Sequence, residues 1–144
     1  TWARAGSWAI VVLPPGRLPI TAQEADAVDA ALGYGRIGAA PDAARAWAAV
    51  HRRWPGNLVA AMGLGNTRHA AGDLAGAASA FEAAARRHDS AAAWNNLAST
   101  RDSLGDRAGA RAAAARAVER ARAAEPQWLA RALQTQLELD TEGR

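Results

Sequence analysis

The sequence predicts an all-α fold: a right-handed α-α superhelix of about three helical hairpins plus a C-terminal capping helix, with a short N-terminal extended strand. Two observations predict it. Ala61, Leu64, Gly65, Gly72, Asp73, Ala77, Phe81 and Ala84 recur as Trp94, Leu97, Ala98, Gly105, Asp106, Ala110, Ala114 and Ala117, every pair at the offset that separates Gly72 from Gly105. A fixed period of about 33–34 residues is the signature of stacked helical hairpins. Within each unit a Gly-Asp pair separates two helical patterns. The glycine can end one helix in a left-handed conformation, and the aspartate can cap the next by accepting its orphan amide protons.

Taken in order, Ser7 to Leu13 reads as a strand, an apolar β-rich run closed by Pro14-Pro15-Gly16. Trp8, Ile10 and Val12 alternate with Ala9, Val11 and Leu13, so both faces are apolar. Such a segment must join a sheet of an upstream domain, pair with another copy, or lie across the helices. Thr1 is not an initiator methionine, which reads as a fragment or a trimmed chain. Thr21-x-x-Glu24 is a capping box that opens a helix after Pro19, with Ala27, Ala30, Ala31 and Tyr34, loosening at Gly33, Gly35 and Gly38. Pro41-Asp42 starts a second helix that carries Ala43, Trp47 and Val50 on one face and stops before Pro55-Gly56. With Gly38 set against Gly72 and Trp47 against Phe81, these two helices form a divergent unit, displaced by one residue more than the period. Asn57 or Leu58 begins the next unit, and Asp89-Ser90 caps the one after. Beyond Pro126, Trp128, Leu129, Ala132, Leu133, Gln136 and Leu137 make an apolar stripe on a helix suited to cover the end of the array. Helices are expected near 21–35, 41–53, 58–71, 74–88, 90–104, 107–124 and 126–140. The domain organisation follows: an extended segment over 1–20, then repeats over about 24–57, 58–90 and 91–125 and a cap over 126–140.

Trp94 and Leu97 supply the opening of a W-x2-L-G-x2-Y…A-x3-F…P pattern, and Leu64-Gly65 with Ala77-x3-Phe81 supply its middle. The array therefore resembles tetratricopeptide repeats (TPR). Ala61 stands where that pattern has its Trp, Arg68 and Arg101 where it has Tyr, and Ala114 where it has Phe. A second, narrower resemblance rests on Trp8-Ala-Ile-Val-Val-Leu-Pro-Pro-Gly16, Leu18-Pro19, Trp54-Pro55, Gly63-Leu-Gly-Asn66 and Asn95-Asn-Leu-Ala98. This combination is similar to bacterial cysteine peptidases of a double-glycine-peptidase-like type with a C-terminal TPR region. That resemblance implies a strand closing a peptidase domain, with the catalytic Cys and His upstream of Thr1 and no catalytic residue in this segment.

Composition narrows the chemistry. There is no cysteine, which excludes disulfides, zinc-thiolate sites and cysteine nucleophiles within the chain and fits cytosol and periplasm alike. All 17 basic residues are arginine, a usage that with the abundant alanine points to a GC-rich bacterial genome. The net charge of +3 is spread over helix surfaces. Arg111, Arg116, Arg120 and Arg122 share no clean face, so nucleic acid is not an expected partner. No apolar run approaches the length of a membrane span. Neither a metal-ligand spacing nor a phosphate-cradling glycine loop is present, and no cofactor is expected.

The functional expectation is a protein- or peptide-binding scaffold whose first helices line a concave face. With Ala61, Leu64, Gly65 and Arg68 turned into the hairpin, Val59, Met62, Asn66 and His69 face elsewhere. Equivalent stripes carry Ala92, Asn95, Ser99 and Asp102, and Ala25, Val28, Leu32 and Gly35. The groove candidates are therefore Val28, Leu32, Met62, Asn66, His69, Asn95, Asn96, Ser99 and Asp102, grading from apolar to polar. Asparagine is a poor helix former, yet Asn66, Asn95 and Asn96 all fall inside helices, where their amides could bond a peptide backbone or the neighbouring helices. His69 and Asp102 occupy equivalent places and could meet, without a nucleophile to make a catalytic set. A carboxylate clamp is not expected, because Val28, Leu32, Met62 and Asn95 fill the places where it needs bases.

Overall fold

The computed structural model describes residues 22–141. The predicted strand over 7–13 and the capping residue Thr21 lie outside the described residues. Among those described, the chain forms seven α-helices: α1 (Ala22–Arg36), α2 (Ala40–Arg53), α3 (Leu58–Ala70), α4 (Leu74–His88), α5 (Ala91–Ser103), α6 (Arg107–Ala124) and α7 (Leu129–Thr141). A 3-10 turn, Pro126–Trp128, leads into the last. Consecutive helices pack as antiparallel pairs, as their short connections require. The result is a TPR-like helical superhelix in which α1, α3, α5 and α7 are A helices and α2, α4 and α6 are B helices.

The same turn closes each hairpin. In the middle unit Gly72 has φ +83°, the Asp73 amide donates to the Arg68 carbonyl at 2.9 Å, and the Gly72 amide to His69 at 3.0 Å. This is the Schellman arrangement that satisfies the last carbonyls of a helix. Gly105, at φ +82°, repeats it with Asp106 on Arg101 and itself on Asp102. Asp73 and Asp106 then accept the Gly76 and Gly109 amides at 2.9 Å, which caps α4 and α6. Replacing Gly105 by alanine puts a Cβ in the left-handed region, and urea denaturation should show a loss of about 1–2 kcal/mol.

The arginines standing where TPR units carry Tyr have a shared role. Arg68 donates to the Gly76 carbonyl at 3.2 Å, and Arg101 to the Gly109 carbonyl at 3.4 Å. Each ties its A helix to the first turn of its B helix. Large and small residues trade places in the core along the array. A Cβ on Gly65 would fall inside the Phe81 ring, and one on Gly63 inside the Trp47 indole. In the next unit Ala98 and Ala114, both buried in the same cluster, occupy the equivalent positions.

Two expectations need correction. The Asp89-Ser90 cap is not made by either side chain. Asp89 sits in the left-handed region at φ 45°, accepts from Trp94 Nε1 at 2.9 Å and pairs with Arg116. Ser90 is the N-cap residue without a capping bond, and Glu125 accepts the Ala91 amide instead, at 3.2 Å. Glu24, the described half of the predicted capping box, is buried and accepts from Asn57 Nδ2 at 2.7 Å. These two buried carboxylates tie the starts of successive A helices, α1 to α3 and α5 to α7. The α7 stripe is rotated as well. Ala132 and Leu139 are its buried residues, with Trp128 and Leu129 partly covered, whereas Leu133 and Leu137 stay 38% and 64% exposed. Arg111 binds the Leu139 carbonyl at 3.2 Å, and so turns that end of α7 onto α6.

Candidate functional site

Helix α3 shows how the candidate site arises, because its neighbours divide its surface into three faces. Gly65 meets Phe81 and Arg68 meets Gly76, so the face with Ala61 looks at α4. Gly63 meets Trp47, and Ala60 and Leu64 pack in the cluster of α1 and α2. Val59, Met62, Asn66 and His69 form the third face, with Val59 packed against the cluster of α1 and α2 and Met62 within the central cluster. Helix α5 repeats the division, with Arg101 turned to α6 and with Ala92, Asn95, Ser99 and Asp102 on the third face.

The structure brings the central candidates together and takes them out of water. Met62 is 1% exposed, Asn66 4%, and Asn95 and Asn96 2% each. Asn96 Nδ2 donates to Asn66 Oδ1 at 3.3 Å and links α5 to α3. Asn66 Nδ2 and Asn95 Oδ1, one donor and one acceptor, are buried without a hydrogen-bond partner among the described residues. An unpaired buried amide group costs about 1–3 kcal/mol, so these two atoms call for a partner. The flanking candidates are less enclosed. Val28 is buried, while Leu32, His69, Ser99 and Asp102 are half-buried. Ser99 donates to the Asn95 carbonyl at 3.3 Å, and Asp102 pairs with Arg107 at 3.7 Å.

In sequence register α7 has equivalents of the α5 stripe that sequence reasoning missed, Leu129, which packs against the cluster of Ala117, Val118 and Ala132, and Leu133, which is exposed. Leu129 and Leu133 take the places of Asn95 and Ser99 in the following A helix. The period lengthens by one residue across Pro126, and that shift hid the match. The face thus runs from apolar α1 through amides on α3 and α5 to leucines on α7.

The three histidines share one electrostatic feature. Burial lowers His69, and burial then Arg68 lower His51. Burial followed by Arg87 lowers His88, against an opposing hydrogen bond with the Gly56 backbone. At all three positions the fold therefore favours the neutral imidazole relative to the unfolded chain, whose value is near 6.5. The unfolded state then takes up protons first as pH falls through that value, so stability drops below it and levels off once the folded groups also titrate. Melting temperature should fall between about pH 7 and pH 5, and the triple change His51→Gln, His69→Gln, His88→Gln should flatten the slope. Among the described residues, no group of His, Asp and Glu gathers closely enough to hold a metal ion, and no helix is long and apolar enough to cross a membrane.

No family model and no curated protein matches the chain. Solved structures do match. The type III secretion chaperone SycD of Yersinia enterocolitica, in complex with a peptide of the translocator YopD, superposes with a TM-score of 0.77 at 17% identity, covering 87% of this chain and 98% of that one. PcrH from Pseudomonas aeruginosa gives 0.76 at 20% identity, over 89% and 99% of the two chains. The Sgt2 TPR domain from Aspergillus fumigatus gives 0.73 at 18%, over 90% and 87%. Likeness at such low identity speaks for the fold, and it lends no support to the peptidase resemblance. The chain has the TPR fold that its period and its paired turns predict.

Proposed function

We propose that this chain is a TPR scaffold module that binds a protein or peptide segment in extended form across the concave face of its A helices. The observation that carries this reading is the pair Asn66 Nδ2 and Asn95 Oδ1, buried on that face and still lacking partners among the described residues. A peptide backbone offers one acceptor and one donor per residue whatever its side chains. Val28, Leu32 and Met62 on one side, and Leu129 and Leu133 on the other, supply apolar seats for side chains. The similar folds support the reading: SycD is in complex with a YopD peptide, PcrH with the chaperone binding region of PopD, and a TPR of RPAP3 with an HSP90 peptide. No residue here is given a catalytic role.

The test is fluorescence polarisation with fluorescein-labelled peptides of about a dozen residues, long enough to cross the face when extended. The double change Asn66→Ala, Asn95→Ala should weaken binding about tenfold, from roughly 0.5–1.5 kcal/mol per bond. Ala83→Arg, on the exposed outer side of α4, should leave it unchanged. Undiminished affinity in the double variant moves the site off the concave face. Should the double variant unfold, Ser99→Arg at the groove rim tests the same claim without removing a buried amide.

A further inference from the structure

We propose that the edge formed by the C-terminal ends of α2, α4 and α6 docks an acidic segment of a partner protein. None of its residues lies on the A-helix face read as the groove, so the two readings stand or fall separately.

Three observations carry it. The first is placement. Consecutive helices run antiparallel, so α2, α4 and α6 all end on one edge of the array. Their last turns carry Arg52 and Arg53, Arg86 and Arg87, and Arg122, with Arg120 just before it. The second is compensation. Arg86 pairs with Glu82, and Arg120 with Asp89 and Glu125. Arg52, Arg53, Arg87 and Arg122 are exposed and have no acidic partner among the described residues. Residues 1–21 contain no Asp or Glu to supply one. A single cation at each helix end answers the macrodipole, so the second one on α2 and on α4 is surplus to it. The third is local grouping. The Arg53 guanidinium lies 5.3 Å from the centre of the Trp54 ring. A Cβ on Gly56 would stand 2.9 Å from the Arg87 guanidinium, and His88 is hydrogen-bonded to the Gly56 backbone. Arg87 of α4 and Arg53 of α2 therefore flank one turn, Trp54-Pro55-Gly56. Like charges gathered in this way repel until an anion joins them.

Charge complementarity sets the occupant. Guanidinium groups match carboxylates in a forked geometry, and a row of them suits a segment rich in Asp or Glu. A membrane fits less well, because the exposed large apolar residues lie elsewhere, at Tyr34, Ile37, Leu104, Leu133 and Leu137. Nucleic acid carries a charge at every step of its backbone, whereas Asp89, Glu119 and Glu125 interrupt the positive edge near α6. Arg53 also covers the Trp54 ring that a base would need for stacking. A second copy offers few acids. At the opposite edge Asp42, Asp102, Asp106 and Asp140 each pair with an arginine of their own chain.

The probe is a fluorescein-labelled peptide of alternating glutamate and serine, about a dozen residues long, which spans several helix ends when extended. Fluorescence polarisation reads its binding to the full chain at low ionic strength, where surface charge is least screened. Arg53→Gln with Arg87→Gln should weaken binding about fivefold or more. Arg36→Gln with Arg45→Gln removes the same formal charge from exposed positions away from this edge, and should weaken it less than about twofold. Should the first variant unfold, Arg52→Gln with Arg122→Gln tests the same edge through two exposed side chains. Equal loss in the edge and control variants overturns the proposal, because net charge alone would then account for binding. Absence of binding to the parent chain overturns it as well. Tighter binding of an oligothymidine or of phosphatidylserine vesicles than of the peptide, with the same loss in the edge variant, also overturns it and assigns the edge to that anion. Self-association of the parent chain that disappears in the edge variant assigns the edge to a second copy and overturns it likewise.

Discussion

Replacing Phe81 by alanine is expected to cost about 3–5 kcal/mol, enough to remove much of the stability of a domain this size. Phe81 is the single phenylalanine, is fully buried, and joins α3, α4 and α5 in the central cluster. Few other large side chains share that cluster, because most of its members are alanines. The opposite change, Gly65→Ala, drives a methyl into the same ring and should cost about 1–3 kcal/mol by overpacking. The informative variant is the double one. Gly65→Ala with Phe81→Ala recreates the Ala98 and Ala114 pair of the following hairpin, where both alanines are fully buried in the central cluster. The double variant should therefore be less destabilised than the sum of the singles, by about 0.5–3 kcal/mol. Urea denaturation of the four chains measures this, and strict additivity would show that the two positions do not share one volume.

Trp47→Ala should be as costly locally, about 3–5 kcal/mol, but with a different outcome along the chain. Trp47 is buried between α2 and α3, over Gly63, and anchors the cluster with Val28, Val50 and Leu64. It holds the first hairpin to the rest of the array. In a repeat protein each unit contacts only its neighbours, so an end unit can open alone. Hydrogen exchange should then show α1 and α2 losing protection while α5 and α6 keep theirs. Uniform loss over all helices would mean that the array unfolds as one unit despite its repeats.

The fold was legible because its signals are periodic and local. Gly72 and Gly105 mark the same turn one period apart, and the aspartates after them mark the next helix. Helix limits came out within a residue or two for the same reason, except that α7 begins at Leu129, behind a 3-10 turn over the first three residues of its expected range. The α1–α2 unit could be aligned through Gly38 and Trp47, although its glycines weaken the helical pattern. What stayed hidden depends on contacts between units. Nothing in the sequence shows that Glu125 accepts the amide of Ala91, far back along the chain, in place of a Ser90 cap. The rotation of α7 is set by Leu139 and Arg111, not by the Leu133 and Leu137 spacing that dominates its pattern. The groove was legible in outline, since helix spacing put Met62, Asn66 and Asn95 on one face. Their burial was not, because whether a face is covered depends on chain far away in sequence. The Asn96 to Asn66 bond joins α5 to α3 and shows the amides bonding neighbouring helices.

The most direct measurement follows the side-chain amide resonances of Asn66 and Asn95 by nuclear magnetic resonance while the tightest peptide of the fluorescent set is added in unlabelled form. If the concave face holds an extended chain, both resonances shift on binding and show contacts to the peptide backbone, with smaller changes at Ser99 and Leu32. Shifts confined to the outer sides of α2, α4 and α6, with Asn66 and Asn95 unmoved, would contradict it.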